Sequence, residues 1–209
     1  MHTDNNFPAA LQAIAFLSSA MVGGVLLLAT VYGLIQKKDW AKRTLTVLLA
    51  GLGIYVALVL GFSMFSKEVT LAHGEEKYFC EIDCHLAYSI SDVKWSVAGA
   101  TRTVAVTIQT RFDENTISSH RPKDAPLTPS PRKVTLIDQN GHSYLPSEIE
   151  GTPLLKELIP GEAYTTEFHF SVPRPTPGLR LLITAPEGPV RMLIGNEMSL
   201  GHKKTYLGI

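Results

Sequence analysis

Two cysteines and one histidine fall within the six residues Cys80-Glu81-Ile82-Asp83-Cys84-His85, the stretch of this chain best suited to redox or metal chemistry. Two thiolates and an imidazole are ligands that copper accepts. The same thiols could instead form a disulfide, or stay unpaired as small core residues. In an extended strand the two cysteine Cα atoms would lie about 13 Å apart. The backbone must therefore bend here if the cysteines act together.

Four interpretations of this cluster follow from the residue types. We predict a structural disulfide between Cys80 and Cys84, because the chain has no other cysteine. The alternatives are two unpaired buried thiols, a copper site with Cys80, Cys84 and His85 as its metal ligands, and a covalently attached c-type haem. The haem alternative arises because Cys-x-x-x-Cys-His is one residue longer than the haem attachment pattern.

The elements that must position the cluster begin with two apolar runs, residues 11–35 and 45–65, neither of which contains a charged residue. A helix rises about 1.5 Å per residue and the hydrocarbon core of a bilayer is about 30 Å thick. Each run can therefore cross the bilayer once as a helix. We expect residues 1–66 to form a two-helix transmembrane hairpin and residues 67–209 to form one further domain.

The orientation of the hairpin follows from its basic turn. Lys37, Lys38, Lys42 and Arg43 lie between the two runs, whereas residues 1–9 contain no lysine or arginine. Positively charged loops stay on the cytoplasmic side. We therefore expect a two-pass membrane protein, with both termini and the C-terminal domain on the extracytoplasmic side. Both cysteines then face the oxidising compartment, which favours the disulfide.

The second apolar run carries a row of small residues, Gly53, Ala57 and Gly61, spaced four apart on one helix face. Such rows let helix backbones approach closely in lipid. The row could pack against the first helix of the hairpin, since a short turn makes the two helices neighbours. Alternatively, it could be an assembly surface for other membrane-protein subunits.

Beyond residue 66 the apolar period changes from helical to the period of two that is typical of strands. The clearest strand is 102–112, in which Val104, Val106 and Ile108 share one face. A shift of phase near Val93 indicates a bulge, and Asn140-Gly141 predicts a hairpin turn. The proline-rich residues 118–132 should contain no strand. The other predicted strands are 68–72, 77–82, 86–97, 133–138, 143–145, 164–172, 179–184, 190–194 and 203–207.

This succession of short strands and turns predicts a mainly β fold, a β-sandwich in one domain that follows the helical hairpin. The chain has 19 basic and 19 acidic residues, so it has no excess of positive charge for binding nucleic acid. The sequence contains no phosphate-binding loop, nucleophile elbow or His-Glu-x-x-His motif. We therefore expect a protein that is not an enzyme and that needs no cofactor.

Residues 78–89, 111–117 and 193–197 resemble segments of bacterial membrane proteins that carry an extracytoplasmic immunoglobulin-like domain of unknown function. The resemblance implies an immunoglobulin-like sandwich on the periplasmic side of the bacterial inner (plasma) membrane, and it transfers no activity. Two spans followed by an outer β-domain are also similar to subunit II of haem-copper oxidases. The Cys-x-x-x-Cys spacing resembles that of membrane-anchored copper chaperones. In the oxidase subunit, however, the cysteine loop lies near the end of the domain, whereas here it precedes most of the strands.

These observations lead to one expected function and one alternative. We expect a non-enzymatic accessory or interaction subunit of a membrane protein complex, with the lipid bilayer and other membrane-protein subunits as its partners. The alternative is a copper- or haem-carrying electron-transfer or metal-delivery protein that uses Cys80, Cys84 and His85.

Overall fold

The computed structural model describes residues 2–80, 84–118, 121–186 and 188–209. Two helices come first, α1 (Ala9–Ile35) and α2 (Trp40–Met64), and both are long and apolar enough to cross a membrane. They contain the two predicted spans. Helix α2 begins earlier than the apolar run does, so that Lys42 and Arg43 belong to its first turn rather than to the connection between the helices.

The two helices pack directly on each other near the turn. Gly33 allows the close approach, because a Cβ atom added there would lie 2.9 Å from the Cβ of Ala41 and 2.9 Å from the ring of Trp40. One turn away, the hydroxyl of Thr30 donates a hydrogen bond of 2.9 Å to the hydroxyl of Thr44. Small residues and one polar pair therefore hold the hairpin together at this end.

The rest of the described chain forms short strands, most of them within the predicted ranges. In chain order they are β1 (His2–Thr3), β2 (Val69–Leu71), β3 (Lys77–Phe79), β4 (Leu86–Ala98), β5 (Thr101–Phe112), β6 (Lys133–Ile137), β7 (Ser143–Tyr144), β8 (Glu148–Gly151), β9 (Ala163–Pro173), β10 (Arg180–Thr184) and β11 (Thr205–Gly208).

These strands make two sheets, which confirms the predicted β-sandwich. In the part of the chain that the structure describes, one sheet has the order β1-β3-β4-β5-β9-β8 and the other the order β2-β11-β10-β6-β7. Both sheets are mixed, because β1 pairs with β3 and β2 pairs with β11 in parallel, whereas the other pairs are antiparallel. The register of β4 against β5 shifts between Ile90 and Asp92, so the predicted bulge is confirmed.

The hydrophobic core combines the inner faces of both sheets. Val104, Val106 and Ile108 of β5 are fully buried, as their alternation predicts, and they share one core cluster with Leu136 of β6 and Leu181 of β10. Alternation with a period of two places these residues on one face of each strand. Burial of these side chains from water is what holds the sheets together.

The charged side chain of Lys77 is fully buried in the sandwich. Lys77 on β3 has no exposed surface, and its ammonium group donates hydrogen bonds to the carbonyl oxygens of Ile183 (2.8 Å) and Thr205 (3.0 Å). Its Nζ atom also lies 5.0 Å from the centre of the Phe79 ring. Since Ile183 and Thr205 belong to the other sheet, Lys77 bridges the two sheets.

Some strand predictions differ from the structure. The predicted strand 190–194 is wrong, because residues Pro189–Met192 form a 3-10 helix. Strands β1 and β8 were missed, since two and four residues are too short to show an alternating pattern. Strand β3 ends at Phe79, and the predicted continuation to Ile82 lies partly outside the described residues. The described part of 118–132 contains no strand, as its prolines predict.

The chain divides into two compact units that interleave along the sequence. One unit contains residues Met1–Asn5, Lys67–Gly188 and Lys204–Ile209, and includes both sheets. The other contains Asn6–Ser66 together with Pro189–Lys203, so a segment near the C-terminus belongs with the helices. The domain boundaries expected from the sequence, 1–66 and 67–209, did not include this exchange of segments.

Candidate functional site

The cysteine cluster contains a disulfide in the structure. Cys80 and Cys84 are bonded through their sulfur atoms, and their Cα atoms lie 4.2 Å apart, far closer than in an extended strand. The predicted disulfide is thus confirmed, and the bend expected between the cysteines falls on residues outside the described ones. While the bond is intact, neither sulfur is a thiolate that could bind copper or a thiol that could attach haem.

The N-terminal residues hold Cys80 in place. Strand β1 runs parallel to β3 and leads Asp4 and Asn5 to the cysteine. The backbone N–H of Cys80 donates a hydrogen bond of 3.0 Å to the carboxylate of Asp4, and the side-chain amide of Asn5 donates one of 2.9 Å to the carbonyl of Cys80. Cys80 is buried beneath these contacts. The sequence carried no signal for this pairing, which joins residues about 75 positions apart.

His85, the third residue of the predicted cluster, is buried at the start of β4 and stacks on the ring of Phe112, with 5.4 Å between the ring centroids. Its Nδ1 atom lies 2.7 Å from the hydroxyl oxygen of Thr116, and that hydroxyl donates to the carbonyl of Asp113. Nδ1 of neutral His85 must then carry the proton, which assigns the lone pair to Nε2. Only Nε2 of His85 could ligate a metal.

A second group of charged residues lies close to this histidine. Arg111 at the end of β5 donates two hydrogen bonds of 2.7 Å to the carboxylate of Glu76, and it lies 3.3 Å from Asp113. The hydroxyl oxygen of Tyr78 lies 2.8 Å from Glu76 and 2.7 Å from Asp113, so its one proton is shared between the two carboxylates. The backbone N–H of Asp113 in turn donates to the carbonyl of His85. We call Glu76, Tyr78, Arg111 and Asp113 the carboxylate network.

The electrostatics of the carboxylate network keep each member in its ordinary protonation state. Burial alone would raise the pKa of Asp113, but hydrogen bonds from Tyr78, Arg111 and Asn115 outweigh it and lower that pKa to about 2. Hydrogen bonds from Arg111 lower the pKa of Glu76. Burial, and then the two carboxylates, raise the pKa of Tyr78 well above its usual value. At neutral pH the network is therefore two carboxylates, one guanidinium and one neutral phenol.

Such an arrangement is suited to holding structure rather than to moving protons. Neither carboxylate has a pKa near neutrality, as a general acid or base would need. The phenol of Tyr78 stays protonated and acts as a donor. The network ties strand β3 to the end of β5, next to the disulfide.

A further cluster lies on the exposed side of the first sheet. Glu150 on β8 pairs directly with Glu167 on β9, and His169 is two residues further along β9. Nε2 of His169 lies 3.2 Å from Glu167 and 3.9 Å from Glu150, and the ligand atoms of the three residues all lie within 4.8 Å of one another. Like charges directly opposite each other are destabilising. The ammonium of Lys94 lies 3.5 Å from Glu167 and offsets part of this repulsion, and a divalent cation could offset it further.

The sequence allows two of the three residues of this cluster to be placed on one face. Glu167 and His169 alternate on one predicted strand, which places them on the same face. Glu150 could not be assigned to that face, because β8 was not predicted.

In the helical unit, the row Gly53, Ala57 and Gly61 of α2 lies away from α1. A Cβ atom added at Gly53 or Gly61 would meet nothing within 4 Å, and Ala57 between them is exposed. Contact with α1 uses other residues of α2, such as Ala41 and Leu48. The row therefore does not pack against α1, which was one of its two possible roles.

Comparisons with known proteins add little to this description. No family model and no curated protein gives a significant match. Two solved structures are similar in part: an uncharacterised β-sandwich protein from Clostridium difficile (12% identity, TM-score 0.40, covering 69% of this chain and 95% of that one) and a conserved hypothetical protein from Bacillus anthracis (11% identity, TM-score 0.34, covering 48% and 81%). At these TM-scores neither supports an argument about function, and the immunoglobulin-like assignment stays a prediction.

Proposed function

We propose that this protein is a membrane-anchored β-sandwich that acts as a non-enzymatic accessory or interaction subunit of a membrane protein complex. The helical hairpin lies in a bacterial plasma membrane. Both termini and the sandwich lie on the extracytoplasmic side.

Placement of the hairpin in a bilayer is supported by its exposed surface. Leu17, Leu28 and Ile35 of α1 are each at least 65% exposed, as are Met64 and Phe65 at the end of α2. A contiguous apolar surface of this kind is unusual on a soluble protein and ordinary for a helix in lipid.

Two independent arguments agree on the orientation. Lys37 and Lys38 lie in the connection between the helices, and Lys42 and Arg43 in the first turn of α2, so this end should stay cytoplasmic. The disulfide at Cys80 requires an oxidising compartment, which is the opposite side of the membrane.

The observation that carries the accessory role is the row Gly53, Ala57 and Gly61. Within the described structure this row has no helix packed on it. Small residues at this spacing let a helix from another chain approach closely, and close packing is a main source of helix association in lipid. A hairpin needed only as an anchor would have no use for a second packing face.

Replacing Ala57 with Leu tests this role. The added side chain fills the space over the row, so a partner helix can no longer approach closely. A loss of about 1.4 kcal/mol in association would reduce partner recovery about tenfold. The measurement is quantitative co-purification from membranes under mild detergent, with recovery of each associated membrane protein compared between the variant and the wild type.

The matched control is Val56→Phe, which adds bulk at the same depth on a neighbouring face of α2. Val56 is 46% exposed, so the larger ring needs no space inside the protein. We expect Val56→Phe to retain its partners. Equal partner recovery with Ala57→Leu and with the wild type would contradict the assembly role of the row. Equal losses of partners with Ala57→Leu and Val56→Phe would show that the effect is not specific to the row.

The copper or haem alternative has little support among the described residues. Both sulfur atoms are joined in the disulfide. His85 is buried, and one of its ring nitrogens is already bonded to Thr116. No contact among the described residues favours that function over the accessory role.

A further inference from the structure

The segment Pro189–Lys203, which we call the outer loop, belongs to the same compact unit as the two helices. Its deepest contact is with α2. The hydroxyl of Tyr55 donates a hydrogen bond of 2.8 Å to the backbone carbonyl of Met192. Met192 lines a groove between the helices together with Phe16, Ser19 and Leu52.

The depth of this contact follows from the length of α2. Because Lys42 and Arg43 must stay at the cytoplasmic surface, an apolar stretch of about 20 residues places the outer edge of the hydrocarbon region near Met64, the last residue of α2. Tyr55 comes nine residues earlier, about 13 Å along the helix axis from that edge. Even after allowing for the length of the tyrosine side chain, the Met192 carbonyl lies on the bilayer side of the edge.

Later parts of the outer loop return toward the surface. Gly195 packs on the residues before α1, because its carbonyl accepts a hydrogen bond of 2.9 Å from Asn6 and a Cβ atom added to it would lie 2.8 Å from the Cβ of Phe7. The backbone N–H of Lys203 then donates to the hydroxyl of Ser66, just beyond the end of α2. The loop therefore enters near Met192 and leaves at Lys203.

Several backbone groups of the outer loop have hydrogen-bond partners inside the protein, as a backbone next to lipid needs. The carbonyl of Met192 is satisfied by Tyr55, and that of Leu193 by the hydroxyl of Ser199. The backbone N–H of Met198 donates to the side chain of Asn196, and that of Ser199 to the carbonyl of Asn196.

Two large apolar side chains of the loop are nevertheless exposed, Met192 by 61% and Leu200 by 72%. We propose that the outer loop is inserted into the extracytoplasmic leaflet, with Met192 and Leu200 in contact with lipid acyl chains. This inference rests on the placement of the hairpin in the membrane under the proposed function.

Arg191 limits how deep the loop can go. A charged side chain is costly at the centre of the bilayer and much less so near the headgroups. The loop therefore lies at the boundary of headgroups and acyl chains, with Met192 deeper than Leu200.

Quenching of tryptophan fluorescence by brominated lipids tests this depth. The full-length protein is purified with Trp40→Phe and Trp95→Phe, and a single tryptophan is introduced by Met192→Trp or Leu200→Trp. Both sites are exposed, so the ring needs no space inside the protein. Each variant is reconstituted in bilayers of phosphatidylcholine with bromine placed either near the headgroup end or near the methyl end of the acyl chain.

We expect emission from both variants to fall by about half or more with the shallow bromines, as for a group about 5 to 10 Å into the boundary region. The Met192→Trp variant should be quenched more than the Leu200→Trp variant by the deep bromines. Two controls use the same background: Leu49→Trp, on the exposed surface of α2, and Ile149→Trp, exposed on β8 of the sandwich.

The controls separate this inference from the membrane placement itself. Quenching of Leu49→Trp without quenching of either loop variant would overturn the inserted loop and leave the hairpin in the bilayer. No quenching of Leu49→Trp would overturn both. Equal quenching of Ile149→Trp and Met192→Trp would also overturn the inference, because lipid contact would not be specific to the loop.

Discussion

Neutralising Asp113 by Asp113→Asn should destabilise the sandwich by an amount that depends on pH. The side chain of Asp113 is only 11% exposed, so water screens its interactions with Arg111 and Tyr78 weakly. Its pKa is lowered from 3.8 to about 2 in the folded protein. At about 1.4 kcal/mol per pKa unit, the ionised carboxylate contributes about 2 kcal/mol to the free energy of unfolding.

The sign of the pH dependence follows from the direction of that shift. A carboxylate whose pKa is lowered by folding stabilises the protein fully above its unfolded pKa, and the contribution is lost as pH falls through the folded value. For Asp113 this window runs from 3.8 down to about 2. We expect Asp113→Asn to lower the free energy of unfolding by about 2 kcal/mol at neutral pH and by much less near the lower end of the window.

The assay is urea unfolding of the full-length protein in detergent micelles, at neutral pH and at several acidic values. A Trp40→Phe background leaves Trp95, on β4, as the only tryptophan and hence as the reporter of the sandwich. Asp92→Asn is the matched control. Asp92 is 53% exposed and forms a surface pair with Lys94, and such pairs contribute about 0 to 1 kcal/mol.

Two results would refute this reasoning. One is a decrease in the free energy of unfolding at neutral pH that is no larger for Asp113→Asn than for Asp92→Asn. The other is an unchanged difference in stability between wild type and Asp113→Asn across the acidic window. Either would mean that the carboxylate network does not select the ionised form of Asp113.

Two further predictions concern topology and the disulfide. With the hairpin oriented as proposed, a cysteine introduced by Lys38→Cys should resist a membrane-impermeant thiol reagent in intact cells, and one introduced by Lys123→Cys should react; the reverse labelling would overturn the orientation. The intact mass without reductant should be two hydrogen atoms below the reduced mass, because Cys80 and Cys84 are bonded. A stoichiometric metal content, or a haem absorbance band that survives denaturation, would instead favour the redox alternative.

Sequence reasoning succeeded where the pattern is local and repeated. The length of the two apolar runs decides the helices, and strict alternation places Val104, Val106 and Ile108 of β5 in the core. The phase shift near Val93 located the bulge between Ile90 and Asp92. In each case many residues contribute to one periodic signal.

Prediction from the sequence failed for short segments whose conformation depends on contacts with residues far away along the chain. The apolar composition of residues 190–194 predicted a strand, yet these residues belong to the helical unit. There the hydroxyl of Tyr55 donates a hydrogen bond to the carbonyl of Met192. Strand β8 is four exposed residues that become a strand only because β9 offers a free edge, so the pairing of Glu150 with Glu167 was not visible. Short segments have too little intrinsic preference to resist such tertiary contacts.

The sequence by itself determined the two helices, the sandwich class and the identity of the disulfide partners, because there are only two cysteines in the chain. Tertiary structure alone decided what surrounds that disulfide. Asp4 and Asn5 reach Cys80 through a parallel strand pairing, and the carboxylate network joins Glu76 and Tyr78 to Arg111 and Asp113. These contacts connect residues that are far apart along the chain, and only the folded sheets bring their hydrogen-bonding groups within reach of each other.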